Sequence, residues 1–234
     1  MVNMSKLNLY EIRGGNRTDL EQKKYNIGIG ISLGNKWFTI ENIVEAVKWA
    51  SSLTRDVVIV YVADSIHAIN IEVRNRISFE KALVKAKKMG NDILREIKKD
   101  IDNNLMDYSK KVVYVTWDQI VDEKYKSKLQ YLTNLYKTNE EFKISIHSIV
   151  KSHIKNETRS FSISDIDRFG QYIIEELPEV LVRVKMAGYD CDAYAYPYDG
   201  ELTKFVEKLQ LGEIFPQIRE SVIDTEPKVF LEVR

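Results

Sequence analysis

The sequence has one cysteine, four prolines and three histidines in 234 residues, and each scarcity removes a class of explanation. A lone thiol, Cys191, supports neither an internal disulfide framework nor a cysteine cluster for a metal. His67, His147 and His153 are not clustered, and the step between the last two is poor spacing for shared ligation on one helix face. With so few prolines and only ten glycines, extended linkers and low-complexity tails are not expected. No internal repeat is visible. No apolar run approaches the ~20 residues that a membrane span needs. Met1 to Glu21 is polar and lacks the apolar region of a secretory signal, so the expected compartment is the cytoplasm. Thirty-five basic residues balance thirty-five acidic ones, so a nucleic-acid role would have to come from local clustering.

What is present is an ordinary globular composition, 44% hydrophobic and 30% charged. Tyr25 to Ser32 (YNIGIGIS) reads as a buried strand ending in a turn. Asp56 to Asp64 (DVVIVYVAD) and Lys111 to Thr116 (KVVYVT) are β-branched and nearly continuous, as strands buried in a parallel sheet tend to be. Ala193 to Tyr196 and Val229 to Val233 are further short strands. Helical spacing predicts helices over Ile40 to Leu53, Phe79 to Ile101, Ser164 to Leu177 and Leu202 to Leu209, with Trp117 to Val150 helical in pieces. Ser164 is the expected cap of its helix, with Asp167 three residues on. Strands alternating with helices imply one α/β domain over residues 1–234. It would be a mostly parallel sheet with helices on both faces and a helical insertion at 117–150. Ligands in such folds sit beyond the carboxyl ends of the strands, which singles out the turn after Ile31 and the segment after Ala195.

Four groups of residues could carry chemistry. In Gly30-Ile31-Ser32-Leu33-Gly34-Asn35 a strand tip presents a hydroxyl beside a glycine, with backbone N–H groups for an oxyanion. Equally, it could be a tight strand-to-helix connection with Asn35 as the cap. Leu33 stands where a GxGxxG phosphate fingerprint needs its third glycine. Tyr172 and Glu176, four apart, share a helix face, where a phenol and a carboxylate can bind an α-ammonium group and relay protons. The alternative is a plain amphipathic helix ended by Pro178, with Glu175 solvated. In Ala193-Tyr194-Ala195-Tyr196-Pro197-Tyr198-Asp199 the tyrosines alternate, Pro197 ends the pairing, and Asp199 falls in the following loop. On the long helix, Lys81, Lys85, Lys88, Arg95 and Lys99 fall in a stripe ~80° wide, Lys98 and Lys87 widen it, and Asp92 interrupts it. Such a stripe suits a phosphate backbone or is a solvated face.

Taken together, in this order and spacing, these residues resemble the cyclodipeptide synthases from about Asn26 to Asp199. The resemblance rests on Gly30-Ile31-Ser32 with Asn35 and the pair Trp37-Phe38, on Tyr172 and Glu176 before Pro178, on Tyr196 at a strand end, and on a basic helix between two buried strands. One group of the family pairs that Asn with Tyr-His, and the other has a non-Asn residue with Tyr-Pro. This chain combines Asn35 with Tyr196-Pro197. The resemblance implies a Rossmann-like domain related to the tyrosyl- and tryptophanyl-tRNA synthetases, acting on two aminoacyl-tRNAs with no cofactor and no metal. It implies Ser32 as nucleophile, Tyr172 and Glu176 holding the α-ammonium, Tyr196 as proton relay and Asn35 fixing the turn or the oxyanion. Gly34, Pro197 and Asp199 join the substrate contacts. Lys81, Lys85, Lys88, Arg95, Lys98 and Lys99 bind tRNA, and the chain is expected to be a monomer. Gly28 and Gly30 share a strand face with Ser32, and their missing side chains either widen the first aminoacyl pocket or allow close packing. Two other functions stay open: a tRNA-binding module without covalent chemistry, and a serine hydrolase.

Overall fold

Runs of buried β-branched residues assemble the centre of the molecule, a computed structural model that describes residues 6–197, 200–223 and 226–234. The chain begins with strand β1 (Leu9–Arg13), helix α1 (Arg17–Glu21), β2 (Ile27–Ile31), α2 (Ile40–Leu53), β3 (Val58–Val62) and α3 (Asp64–Asn75). The long α4 (Phe79–Asn104), a short α5 (Met106–Ser109), β4 (Val112–Thr116) and a 3-10 turn at Trp117–Gln119 follow. Helices α6 (Glu123–Thr138), α7 (Glu140–Ile154) and α8 (Ile163–Leu181) precede the small strands β5 (Val184–Met186) and β6 (Tyr189–Cys191). The chain finishes with β7 (Ala193–Tyr196), α9 (Glu201–Leu211), α10 (Pro216–Val222) and β8 (Val229–Val233).

Six strands form one sheet in the order β1-β8-β7-β2-β3-β4. Every neighbouring pair is parallel except β1 with β8. The chain leaves β2 toward β3 and β4, then returns to β7 on the other flank of β2. The carboxyl ends of β2 and β7 therefore border the crevice where the strand order reverses, the usual ligand position in open α/β sheets.

Helices cover both faces. On one, Ile43 and Val47 of α2 and Ile97 of α4 pack against Ile27, Ile29, Val58 and Val60. On the other, Ile59, Tyr61 and Val115 meet Trp117, Tyr125 and Cys191. Beyond that face α6 to α10 build a further core around Leu132, Phe142, Leu177 and Leu209. The helical insertion thus packs on α8 and α9 and forms the wall facing the strand ends.

Period two puts Gly28 and Gly30 on the face opposite Ile27 and Ile29, and aromatic rings occupy the room they leave. A Cβ on Gly28 would lie 2.5 Å from Cys191 Sγ and 3.1 Å from a Tyr61 ring carbon. One on Gly30 would lie 2.7 Å from Tyr194 and 2.8 Å from Tyr61. These glycines seat two tyrosines and a thiol and do not open a wider pocket.

The structure departs from the sequence reading in the bounds of α8 and in elements that reading did not contain. Helix α8 starts at Ile163 and is capped by Ser162, not Ser164; Asp165 closes a reciprocal capping box. It runs through Pro178 to Leu181, because Leu177, Pro178, Glu179 and Leu181 are all buried and hold the last turn in place. Helix α3 and the edge strand β1 have no counterpart in the sequence reading, nor has the β5–β6 hairpin, whose turn uses positive φ at Ala187 and Gly188.

Gly30→Ala is expected to lower stability by about 1–3 kcal/mol through overpacking against Tyr61 and Tyr194. Denaturant unfolding measures it, and an unchanged midpoint would show that the two rings have slack.

Candidate active site

Serine 32 directly follows β2. The turn after it is set by Asn35, whose N–H donates to the Ser32 carbonyl at 3.2 Å, with Gly34 at φ +85°. Asn35 Oδ1 accepts from Trp37 N at 3.0 Å, and its Nδ2 lies 3.4 Å from the Tyr196 hydroxyl. Asn35 therefore ties the serine turn to the end of β7. It is not a helix cap; Thr39 caps α2. Phe38 packs on Tyr196 with ring centroids 5.6 Å apart, and Trp37 meets Phe38 edge-on at 5.1 Å.

The turn opens into a cavity of about 620 Å³. Ser32, Gly34, Asn35, Tyr172, Glu176 and Tyr196 all line it, although they span more than 160 residues of sequence. Tyr172 and Ser32 face the same cavity, close enough that the serine hydroxyl draws the phenol's pKa down against the larger effects of burial. Burial pushes the Tyr172 phenol well above its usual pKa, with the nearby Glu176 and Tyr196 adding to it, so the ring carries its proton at any working pH. Tyr194 stacks beside Tyr196 at 5.3 Å and is held neutral in the same way, chiefly by burial.

Glu176 is the unusual group. Burial, and then the charge of Glu179 one turn further on, push its carboxyl up to about 8. Glu179 is itself buried, but it has partners: the Lys228 ammonium forms an ion pair with it, and the Tyr61 hydroxyl donates to it at 2.8 Å. Lys228 also meets the Cys191 thiol, whose pKa burial raises to about 11. Among the described residues no cation pairs with Glu176. Glu175 is half-buried, not solvated, and burial raises its pKa.

Not every residue singled out by sequence reaches the cavity. Gly28 and Gly30 are covered by tyrosines, and Pro197 is buried away from the cavity. Asp199 lies outside the described residues. The basic residues Lys81, Lys85, Lys88, Arg95, Lys98 and Lys99 all lie exposed along α4. Arg95 pairs with Asp92, and Lys87 is drawn to Asp118.

The cavity also gathers residues that sequence reasoning passed over: His67, Asn70 and Arg74 from α3, and His153 from α7. The first and last histidines, remote in sequence, thus share one cavity, while His147 lies with Tyr136 and Asp167 elsewhere. Arg74 pairs with Glu157 at 2.7 Å and sits 4.9 Å over the Phe169 ring. The available signal was positional: α3 starts at the carboxyl end of β3, so its first turns face the crevice.

A family model described as cyclodipeptide synthase matches residues 16–214. No curated protein sequence matches the chain. Among solved structures, a cyclodipeptide synthase from Bacillus thermoamylovorans superposes with a TM-score of 0.74 at 17% identity, covering 100% of this chain and 97% of that one. One from Candidatus Glomeribacter gigasporarum, bound to Phe-tRNAPhe, gives 0.52 at 18% identity over 88% and 86% of the two chains. Tyrosyl-tRNA synthetase from Archaeoglobus fulgidus gives 0.56 at 12% identity over 99% of this chain and 62% of that one. These likenesses show a shared Rossmann-like fold.

A carboxyl at about 8 when folded and near 4.5 when unfolded binds more protons folded than unfolded between those values. Its contribution to stability therefore falls as pH rises from about 4.5 to 8. Glu176→Gln removes that loss. The variant is expected to match the wild type near pH 4.5 and to exceed it by on the order of 2–4 kcal/mol at pH 8. Thermal unfolding across that range tests it, and a pH-independent difference would place the carboxyl in a water-like setting.

Proposed function

The chain belongs to the cyclodipeptide synthase family, enzymes that form cyclic dipeptides from aminoacyl-tRNAs, and we propose that it works through an aminoacyl ester on Ser32. The observation that carries this reading is the placement of Ser32 and Tyr172 in one cavity with a carboxyl that has no cation of its own. The ester joining an amino acid to tRNA is already activated, so the enzyme only has to move the acyl group.

The substrate supplies the missing cation. An α-amino group entering beside Glu176 takes its proton, and the pair formed adds no net charge to the cavity. That pairing fixes the aminoacyl group over Ser32. The Ser32 oxygen bonds to the ester carbonyl carbon, and the bond to the terminal ribose oxygen breaks. The serine proton passes to that departing oxygen, with Tyr172 bridging the transfer as a neutral phenol. The free amine of a second aminoacyl-tRNA then attacks the Ser32 ester, forming the peptide bond and releasing the serine. Finally the first amine returns its proton to Glu176 and closes on the second ester, a further amine proton leaving with the ribose oxygen, to give a 2,5-diketopiperazine and free tRNA. Tyr196, held by Asn35, is the relay at this second stage. The tRNA body lies along the exposed basic face of α4, which supplies phosphate contacts on an otherwise neutral chain.

Two outcomes are expected. Incubation with aminoacyl-tRNA adds one aminoacyl mass to the wild type and none to Ser32→Ala, and only the wild type releases cyclic dipeptide. Product from Ser32→Ala would remove the covalent step. Reversing Lys85, Lys88 and Arg95 to Glu weakens tRNA binding and flattens its salt dependence, each lost phosphate contact lowering the log–log slope by about 0.7–0.9. Unchanged binding across a salt series would make the stripe a solvated face.

A further inference from the structure

His67 shares the cavity with Ser32 and Glu176, yet the acyl-transfer steps above give it no work. It lies one turn into α3 and is 8% exposed. Its ring stands over the serine turn: a Cβ built on Gly34 would be 3.5 Å from His67 Cε1 and 3.8 Å from Nε2. The other edge of the ring faces Asn70, whose amide nitrogen is 3.5 Å from Nδ1. An amide N–H can only donate, so Nδ1 is the acceptor and the ring proton resides on Nε2. Burial, followed by the charge of Arg74, lowers the His67 pKa to about 4. The ring is therefore neutral at physiological pH, with its N–H on the side of the serine turn. An orienting amide in place of a carboxylate also sets His67 apart from the base of a serine hydrolase, which needs an acid to stabilise its imidazolium.

Asn35 N–H, which could have met a developing oxyanion, is already bonded to the Ser32 carbonyl. We propose that His67 is a catalytic hydrogen-bond donor whose Nε2–H, beside Gly34, binds the carbonyl oxygen of the aminoacyl ester as Ser32 attacks. This rests on the acyl-Ser32 reading. As the Ser32 oxygen bonds to the carbonyl carbon, the carbonyl electron pair moves onto oxygen. When the pair returns, the bond to ribose breaks, and the ribose oxygen leaves with the proton that Ser32 gave up. The His67 proton stays on Nε2 throughout. A neutral imidazole suits this task because its donor is fixed before reaction and brings no charge into the cavity.

Single-turnover acylation of Ser32, followed by intact-protein mass with aminoacyl-tRNA, tests the proposal in the full chain. His67→Phe keeps the ring shape without a donor and is expected to slow acylation by about 10²-fold, the usual loss for one such donor. His67→Gln, whose amide nitrogen falls near the Nε2 position, retains most of the rate, whereas His67→Asn, which mimics Nδ1, does not. Asn70→Asp would draw the ring proton to Nδ1 and is expected to slow acylation as well. tRNA affinity and the unfolding midpoint of His67→Gln and His67→Asn should match each other, so that only donor position separates them. Equal rates for Gln and Asn, or faster acylation in Asn70→Asp, would overturn the donor role while leaving the Ser32 adduct of the wild type intact. A wild type that forms no adduct would instead overturn the Ser32 reading and this role with it.

Discussion

Two carboxyl groups one helical turn apart share a space with a single ammonium, and the rest of the site follows from how that shortage is resolved. Lys228, carried in just ahead of β8, neutralises Glu179. Glu176 is left without a cation and holds its proton to about pH 8. Removing water from a lone carboxylate is expensive, so the carboxyl stays neutral until a positive partner arrives. In the proposed function, a substrate bearing an α-amino group is such a partner, so that binding and charge neutralisation become one event and a molecule lacking the amine leaves the acid protonated. On that proposal the ion pair below Glu176 is part of the recognition device, although Glu179 accepts from Tyr61 and Lys228 and is itself buried.

The sheet makes this arrangement possible by its strand order. The reversal between β3 and β7 around β2 leaves a crevice at the strand ends, with Ser32 on one lip and Tyr196 on the other. Gly28 and Gly30 leave room for Tyr61 and Tyr194 against β2, and Tyr194 joins Tyr172 and Tyr196 in lining the cavity. Phenols in that setting keep their protons. Tyr61 donates to Glu179 without adding charge.

Much of this was legible in the sequence. The buried strands announced themselves by β-branched runs, and α2 came out residue for residue from its apolar spacing. Ser32, Tyr172, Glu176 and Tyr196 were legible because their types and spacing match a family pattern. What was not legible depended on contacts between distant segments. Whether the glycines opened a pocket or served close packing stayed undecided, because period two gives the face, not what covers it. Pro178 looked like a helix end because local rules count a lost hydrogen bond but not the burial of Leu177 and Leu181 that outweighs it. Helix α3 alternates apolar Ile66, Ile69, Ile71 and Val73 with polar His67, Asn70, Glu72 and Arg74 and has no side-chain cap, so it gave no clear helical signal and hid His67. Lys228 gave no sign that it would become the partner of a glutamate 49 residues earlier.

The most direct test of this account is the ionisation of Glu176 itself. Carbon-13 NMR of glutamate side-chain carboxyls, with Glu176→Gln to assign the signal, gives its titration in the intact protein. The account expects a midpoint near 8 in the empty cavity and a fall of more than two pH units once a non-hydrolysable aminoacyl analogue bearing its α-amino group is bound. A midpoint near the ordinary 4.5, unmoved by the analogue, would contradict it.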